Sequence, residues 1–157
     1  MENQNEVPQE NQFRNAVESI PEIKDGYCHG LQALGQNAQK VKFKDSKKLN
    51  GSIDIDKSTI ALYPEANRWD YAIGYDGKAY FLEIHPANTS DVTTVIEKAK
   101  WLENWLATKA TELKHIAAHP IYYWIPSGKY NILPNSPQYR KLAQSKIQLK
   151  NILKLPL

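Results

Sequence analysis

The chain holds a single cysteine, Cys28, in 157 residues. One thiol excludes an internal disulfide and any metal site built from several thiolates. No apolar run approaches the roughly 20 residues that a membrane-spanning helix needs, so a soluble protein with no membrane partner is expected. No glycine-rich phosphate loop is present, and Ser127 before Gly128 lacks the surroundings of a nucleophile elbow. His115 and His119 lie four apart, but Pro120 disfavours helix at the residue before it, which argues against a helical metal pair. Residues 1–12 are nearly all polar, with neither an apolar export core nor an arginine-rich import pattern. They read as a disordered tail ahead of one α/β domain over residues 13–157, and a cytoplasmic location is expected.

Acid is the other scarcity. From Lys114 to the end there is no Asp or Glu, while Lys114, Lys129, Arg140, Lys141, Lys146, Lys150 and Lys154 add seven positive charges. Lys42, Lys44, Lys47 and Lys48 form a second basic cluster within a net charge of only +3. Such separation suits a polyanion, and Lys42, Lys44, Lys47, Lys48, Arg140 and Lys141 are candidate nucleic-acid contacts. Lysines that merely solvate helix faces and an edge strand are the competing explanation.

The periodicity predicts helix from Phe13 to Ala38 with a restart after Pro21, then short strands at Val41–Lys44 and Ser52–Asp56. Ile53 and Ile55 are expected in the core, which turns Asp54 and Asp56 outward. Ser90 is a plausible N-cap for a helix from Asp91 to about Lys109. Val92, Val95, Ile96, Ala99, Leu102 and Leu106 make its core stripe. Lys98, Trp101 and Trp105 flank that stripe, the tryptophans as rim packing rather than a base-stacking platform. A strand at Ile121–Ile125 is stopped by Pro126, and Ser136-Pro137 opens a short basic helix. Ile147 to Leu157 reads as an edge strand or extended tail.

The chemistry gathers between residues 68 and 86. Asp70 opens one apolar strand, Asp76-Gly77 is a two-residue hairpin turn, and Glu83-Ile84-His85-Pro86 closes the next strand. Pairing Tyr75 with Lys78 and counting outward sets Asp70 opposite Glu83, with Cβ atoms roughly 5 Å apart. Ala79, Phe81, Glu83 and His85 then share one face, and Tyr80, Leu82 and Ile84 the other. Two like charges at the end of a covered strand repel and are poorly solvated unless a cation or a proton sits between them. Pro86 is expected to end the strand.

An aspartate on the first strand of a hairpin, Glu-x-basic on the second, and a helix–strands–helix–strand order resemble the PD-(D/E)XK nuclease superfamily. The resemblance covers roughly Phe13 to Ile125 and implies a restriction-endonuclease-like core, helix–three strands–helix–strand, with a further C-terminal helix. It implies that Asp70 and Glu83 hold Mg²⁺ or Mn²⁺ for phosphodiester hydrolysis of DNA or RNA. Trp69 stands at the motif's variable proline and His85 at its lysine. His85 then serves as base or as a nitrogen ligand, or Lys98 reaches in to supply the missing charge. The alternative is an inactive nuclease-like domain that binds nucleic acid or a protein partner, a second copy of the chain included.

Overall fold

The computed structural model describes residues 10–157, so most of the expected tail lies outside the described residues. Asn11 already belongs to the folded body. Its side chain accepts the Arg14 N–H at 2.9 Å and caps α1, Gln12–Ser19. The expected helix to Ala38 is not continuous: turns follow Pro21, and a 3₁₀ segment, Gln32–Lys40, is kinked at Gly35. Pro21 removes a helical donor, and three glycines in the next fourteen residues weaken helix further.

Seven strands follow in chain order: β1 (Val41–Phe43), β2 (Leu49–Asp54), β3 (Tyr71–Tyr75), β4 (Lys78–Asn88), β5 (Ala117–Asn131), β6 (Gln148–Leu149) and β7 (Leu153–Leu155). Between them lie α2 (Ile55–Thr59), α3 (Val92–Thr108), α4 (Thr111–His115) and α5 (Pro137–Gln144). Strand β2 stops at Asp54 rather than Asp56, because the Asp54 side chain caps α2 by accepting the Lys57 N–H at 2.8 Å. The main sheet has the order β2-β3-β4-β5-β6, antiparallel from β2 to β4 and parallel from β4 to β6. A separate parallel pair joins β1 to β7. The C-terminal segment is thus divided between the edge of one sheet and the partner strand of another.

Period-two alternation divides the core between the two faces of the sheet. Ala72, Phe81 and Trp124 pack under α1 and α3 with Phe13, Val17, Val95 and Leu102. Ile73, Tyr80, Leu82 and Tyr123 turn the other way, against Leu34, Val41, Leu153 and Leu155. Strand β4 is therefore central and covered on both sides, as its apolar run on both faces predicts.

Both prolines expected to end strands lie inside them. Strand β4 continues past Pro86 to Asn88, and β5 past Pro126 to Asn131. His85 pairs with Pro126 at a register irregularity, where a missing ladder donor is tolerated. The N-terminus of α3 also differs from expectation. Asn88, rather than Ser90, opens a capping box with Asp91 around the 3₁₀ turn Thr89–Asp91. At α5, Ser136 caps and Pro137 leads, as expected.

Candidate metal and catalytic site

The hairpin holds the expected register. Tyr75 pairs with Lys78 and Tyr71 with Leu82, which puts Asp70 and Glu83 at the next opposed positions. Asp76 and Gly77 both have positive φ, 51° and 81°, the backbone that a tight two-residue hairpin requires. Beyond Tyr71 the backbone ladder gives way to the two acids. The Asp70 N–H donates to Glu83 Oε1 at 3.1 Å, and the Ile84 N–H donates to Asp70 Oδ2 at 3.0 Å. Each carboxylate thus replaces a ladder carbonyl of the facing strand.

Asp70 is fixed from behind as well. Its carbonyl accepts the Ile55 N–H at 2.8 Å and the Asp56 N–H at 3.3 Å, joining it to the first turn of α2. Trp69, wholly buried against Tyr122, anchors the chain immediately before Asp70. Arg68 donates to Asp56 at 2.8 Å and brings a third acid to the rim. Asp56 and Asp54, expected to face solvent, are only partly exposed, and their negative charges bear on Asp70.

Lys98 completes the group. Its Nζ lies 2.6 Å from Glu83 Oε2 and 3.7 Å from Asp70 Oδ1. The Glu83 side chain has no exposure, Lys98 has 16% and Asp70 19%. Burial, then the neighbouring Asp70 charge, pushes the Glu83 carboxyl up to about 8 despite the ion pair. Asp70 is raised too, by burial against the opposing pull of Lys98 and of the Ile84 N–H. Burial works against the Lys98 charge, but Glu83 and then Asp70 outweigh it and hold its proton more tightly than usual.

His85 stands on the same strand face as Glu83, but its ring has different partners. Nδ1 lies 2.9 Å from the Pro86 carbonyl and 3.9 Å from Asp91 Oδ1, and the ring meets Trp124 edge-on at 6.4 Å. The Trp124 indole in turn donates to the His85 carbonyl at 3.1 Å. The carboxylate beside His85 is therefore Asp91, which the sequence offered only as the first residue of a helix. Asp91 also accepts the Asn88 N–H at 2.9 Å, so the α3 cap and the imidazole share one side chain.

Trp101 and Trp105 stack on each other at 5.6 Å, and the buried Trp105 donates to Glu22 at 2.9 Å. Tyr63 donates to the same Glu22 carboxylate, and with Trp101 it makes an edge contact at 5.7 Å. This aromatic group fastens α3 to the segments after α1 and α2, and so fixes the helix that carries Lys98.

The basic candidates separate. Lys47 and Lys48 line a cleft of about 440 Å³ with Lys78 and Asp76 at the hairpin turn. That is the hairpin end of β4, five residues or roughly 17 Å from Glu83. Lys42 is exposed on β1 opposite Lys154, and Lys44 follows it. Arg140 and Lys141 are exposed on α5, which packs on α3 and on the turn leaving β4.

The donor chemistry at Asp70 and Glu83 is all oxygen, the type that suits Mg²⁺ or Mn²⁺. With both acids ionised, two carboxylates against one ammonium leave an excess of negative charge in a site that water barely reaches. Among the described residues, no group of three or more His, Cys, Asp or Glu is gathered for a metal. Mg²⁺ sites commonly use one or two carboxylates, with waters and substrate phosphate as the remaining ligands. Among the described residues, no helix is long and apolar enough to cross a membrane. No protein-family model matches this chain, and neither a curated protein nor a solved structure is detectably similar to it.

Proposed function

We propose that this protein is a metal-dependent nuclease of the PD-(D/E)XK kind, hydrolysing phosphodiesters of DNA or RNA. The observation that carries the reading is the Lys98 ammonium at 2.6 Å from Glu83 and 3.7 Å from Asp70. An ammonium beside two hairpin carboxylates restores the charge set of a motif whose lysine position holds histidine. The chain order α1, β2, β3, β4, α3, β5 supports it further, since the resemblance implies helix, three strands, helix and strand for the core.

In this mechanism Asp70 and Glu83 hold the divalent cation, which when bound polarises the phosphate and acidifies water. Lys98 offsets negative charge growing on the phosphate oxygens. The Pro86 carbonyl can only accept a hydrogen bond, so it keeps the His85 proton on Nδ1 and leaves the Nε2 lone pair free. Nε2 is then the atom that takes a proton from the attacking water. Arg140 and Lys141 hold flanking phosphates.

Cleavage of single- and double-stranded DNA and RNA with Mg²⁺ or Mn²⁺ tests the proposal. Asp70→Asn, Glu83→Gln and Lys98→Gln should each lower kcat by about 10²-fold or more. His85→Ala should lower kcat by about 10²-fold. Activity that survives all four changes would sink the site. A second reading is favoured by one observation: Lys98 covers the fully buried Glu83, so the acid pair is already neutralised in part. On that reading the domain binds nucleic acid or a protein partner without cutting, and the same assays give salt-sensitive binding with no products.

A further inference from the structure

We infer that Lys98 occupies the cation's place between the acids, so that this site takes up a divalent metal together with a phosphodiester rather than ahead of it. The inference rests on the metal-dependent reading above and names what governs filling of that site. Each carboxylate commits one oxygen to the backbone, Glu83 Oε1 to the Asp70 N–H and Asp70 Oδ2 to the Ile84 N–H. The two oxygens left over are Glu83 Oε2 and Asp70 Oδ1. These are the same two atoms that face Lys98 Nζ, at 2.6 and 3.7 Å. A cation shared by the acids must therefore take the atoms that the ammonium now holds. Glu83 has no exposed surface through which to offer another side. Lys98 keeps 16% exposure and a flexible four-carbon stem, so its head group can swing away while remaining charged.

Charge counting then sets the order of filling. With both acids ionised, two carboxylates and one ammonium leave one net negative charge. Adding a divalent ion with Lys98 retained gives one net positive charge, and a phosphodiester anion cancels it. Uncompensated charge is costly in a site screened this little from the protein interior, so metal and phosphodiester raise one another's affinity. Replacing Lys98 with a neutral side chain leaves two negative charges, which a divalent ion matches alone.

Free Mn²⁺ counted by electron paramagnetic resonance tests this on the full chain. Wild type, Lys98→Gln and Lys98→Arg are titrated alone, with a phosphorothioate oligonucleotide that keeps its charge, and with a methylphosphonate oligonucleotide that lacks it. Metal held by each oligonucleotide alone is subtracted. Without oligonucleotide, Lys98→Gln should bind Mn²⁺ about tenfold tighter than wild type, while Lys98→Arg stays weak. The phosphorothioate should tighten Mn²⁺ on wild type by about fivefold or more, the lower range of measured coupling, and the methylphosphonate should not. Equal Mn²⁺ affinity in wild type and Lys98→Gln would overturn the inference, as would equal effects of the two oligonucleotides. Either result leaves the metal-dependent reading standing if Mn²⁺ binds. Failure of all three proteins to bind Mn²⁺ under every condition would overturn both. The coupling in wild type needs no substitution, so it decides the matter even if Lys98→Gln does not fold.

Discussion

Glu83 is the residue on which pH acts most directly. Its carboxyl rises from an ordinary 4.5 to about 8 in the folded chain, through burial and then the Asp70 charge. Between those values the folded state holds a proton that the unfolded state has released. Stability is therefore fullest below 4.5 and declines as pH rises through 8. Asp70, also raised, adds to the same trend. Lys98 does not oppose it, since its ordinary value of 10.5 is raised further and its contribution is lost only above that. Glu83→Gln should flatten this decline, so the melting temperatures of wild type and variant diverge in the variant's favour from pH 5 to pH 8. Equal slopes for the two proteins would show that Glu83 carries no such shift. The placing of Asp70 opposite Glu83 was legible because a two-residue turn fixes register by counting. His85 was legible as a position but not in its surroundings, because Asp91 reaches it from a helix cap whose geometry depends on how β4 leaves the sheet.

At the scale of elements, β3 and β4 are held by turn chemistry and by close packing. Gly74 on β3 lies under the Phe13 ring of α1, and a Cβ there would overlap the ring. Gly74→Ala should destabilise by about 1–3 kcal/mol in urea unfolding, the usual cost of overpacking. An unchanged midpoint would mean that α1 shifts without cost. Asn88→Ala removes half of the capping box before α3 and should cost about 1 kcal/mol by the same measurement. Existence and order of most elements could be read from hydrophobic period and turn residues. The ends of β4 and β5 could not, since Pro86 and Pro126 carry a local signal for stopping that the parallel β4–β5 pairing overrides at an irregular step. The residues between Pro21 and Lys40 misled in the other direction. Leu31 and Leu34 fit a helical spacing, yet they serve a 3₁₀ segment laid across the second face of the sheet.

For the whole molecule, the separation of basic surface is the main departure from the pattern of charge along the chain. Charge runs are visible in sequence, but their distance from the acids is a property of topology. Lys47 and Lys48 lie at the turn end of the hairpin, whereas Arg140 and Lys141 ride on α5, which packs at the opposite end of β4. If both groups hold phosphates, the bound nucleic acid extends along β4. Arg140→Ala with Lys141→Ala should weaken binding to every sequence and reduce the slope of log affinity against log salt by about 0.7–0.9 for each phosphate no longer neutralised. Lys47→Ala with Lys48→Ala should weaken binding similarly while leaving cleavage at saturation unaltered. A salt slope indifferent to both pairs would place the nucleic acid elsewhere. The exchange of backbone partners beyond Tyr71 has one further use. The amide protons of Asp70 and Ile84 donate to side-chain oxygens instead of a neighbouring strand's carbonyls. Their nuclear magnetic resonance signals are thus native reporters of the two carboxylates, one amide for each acid. Protonation or capture of either acid can be followed by amide chemical shift, with no label, substrate or substitution added to the chain.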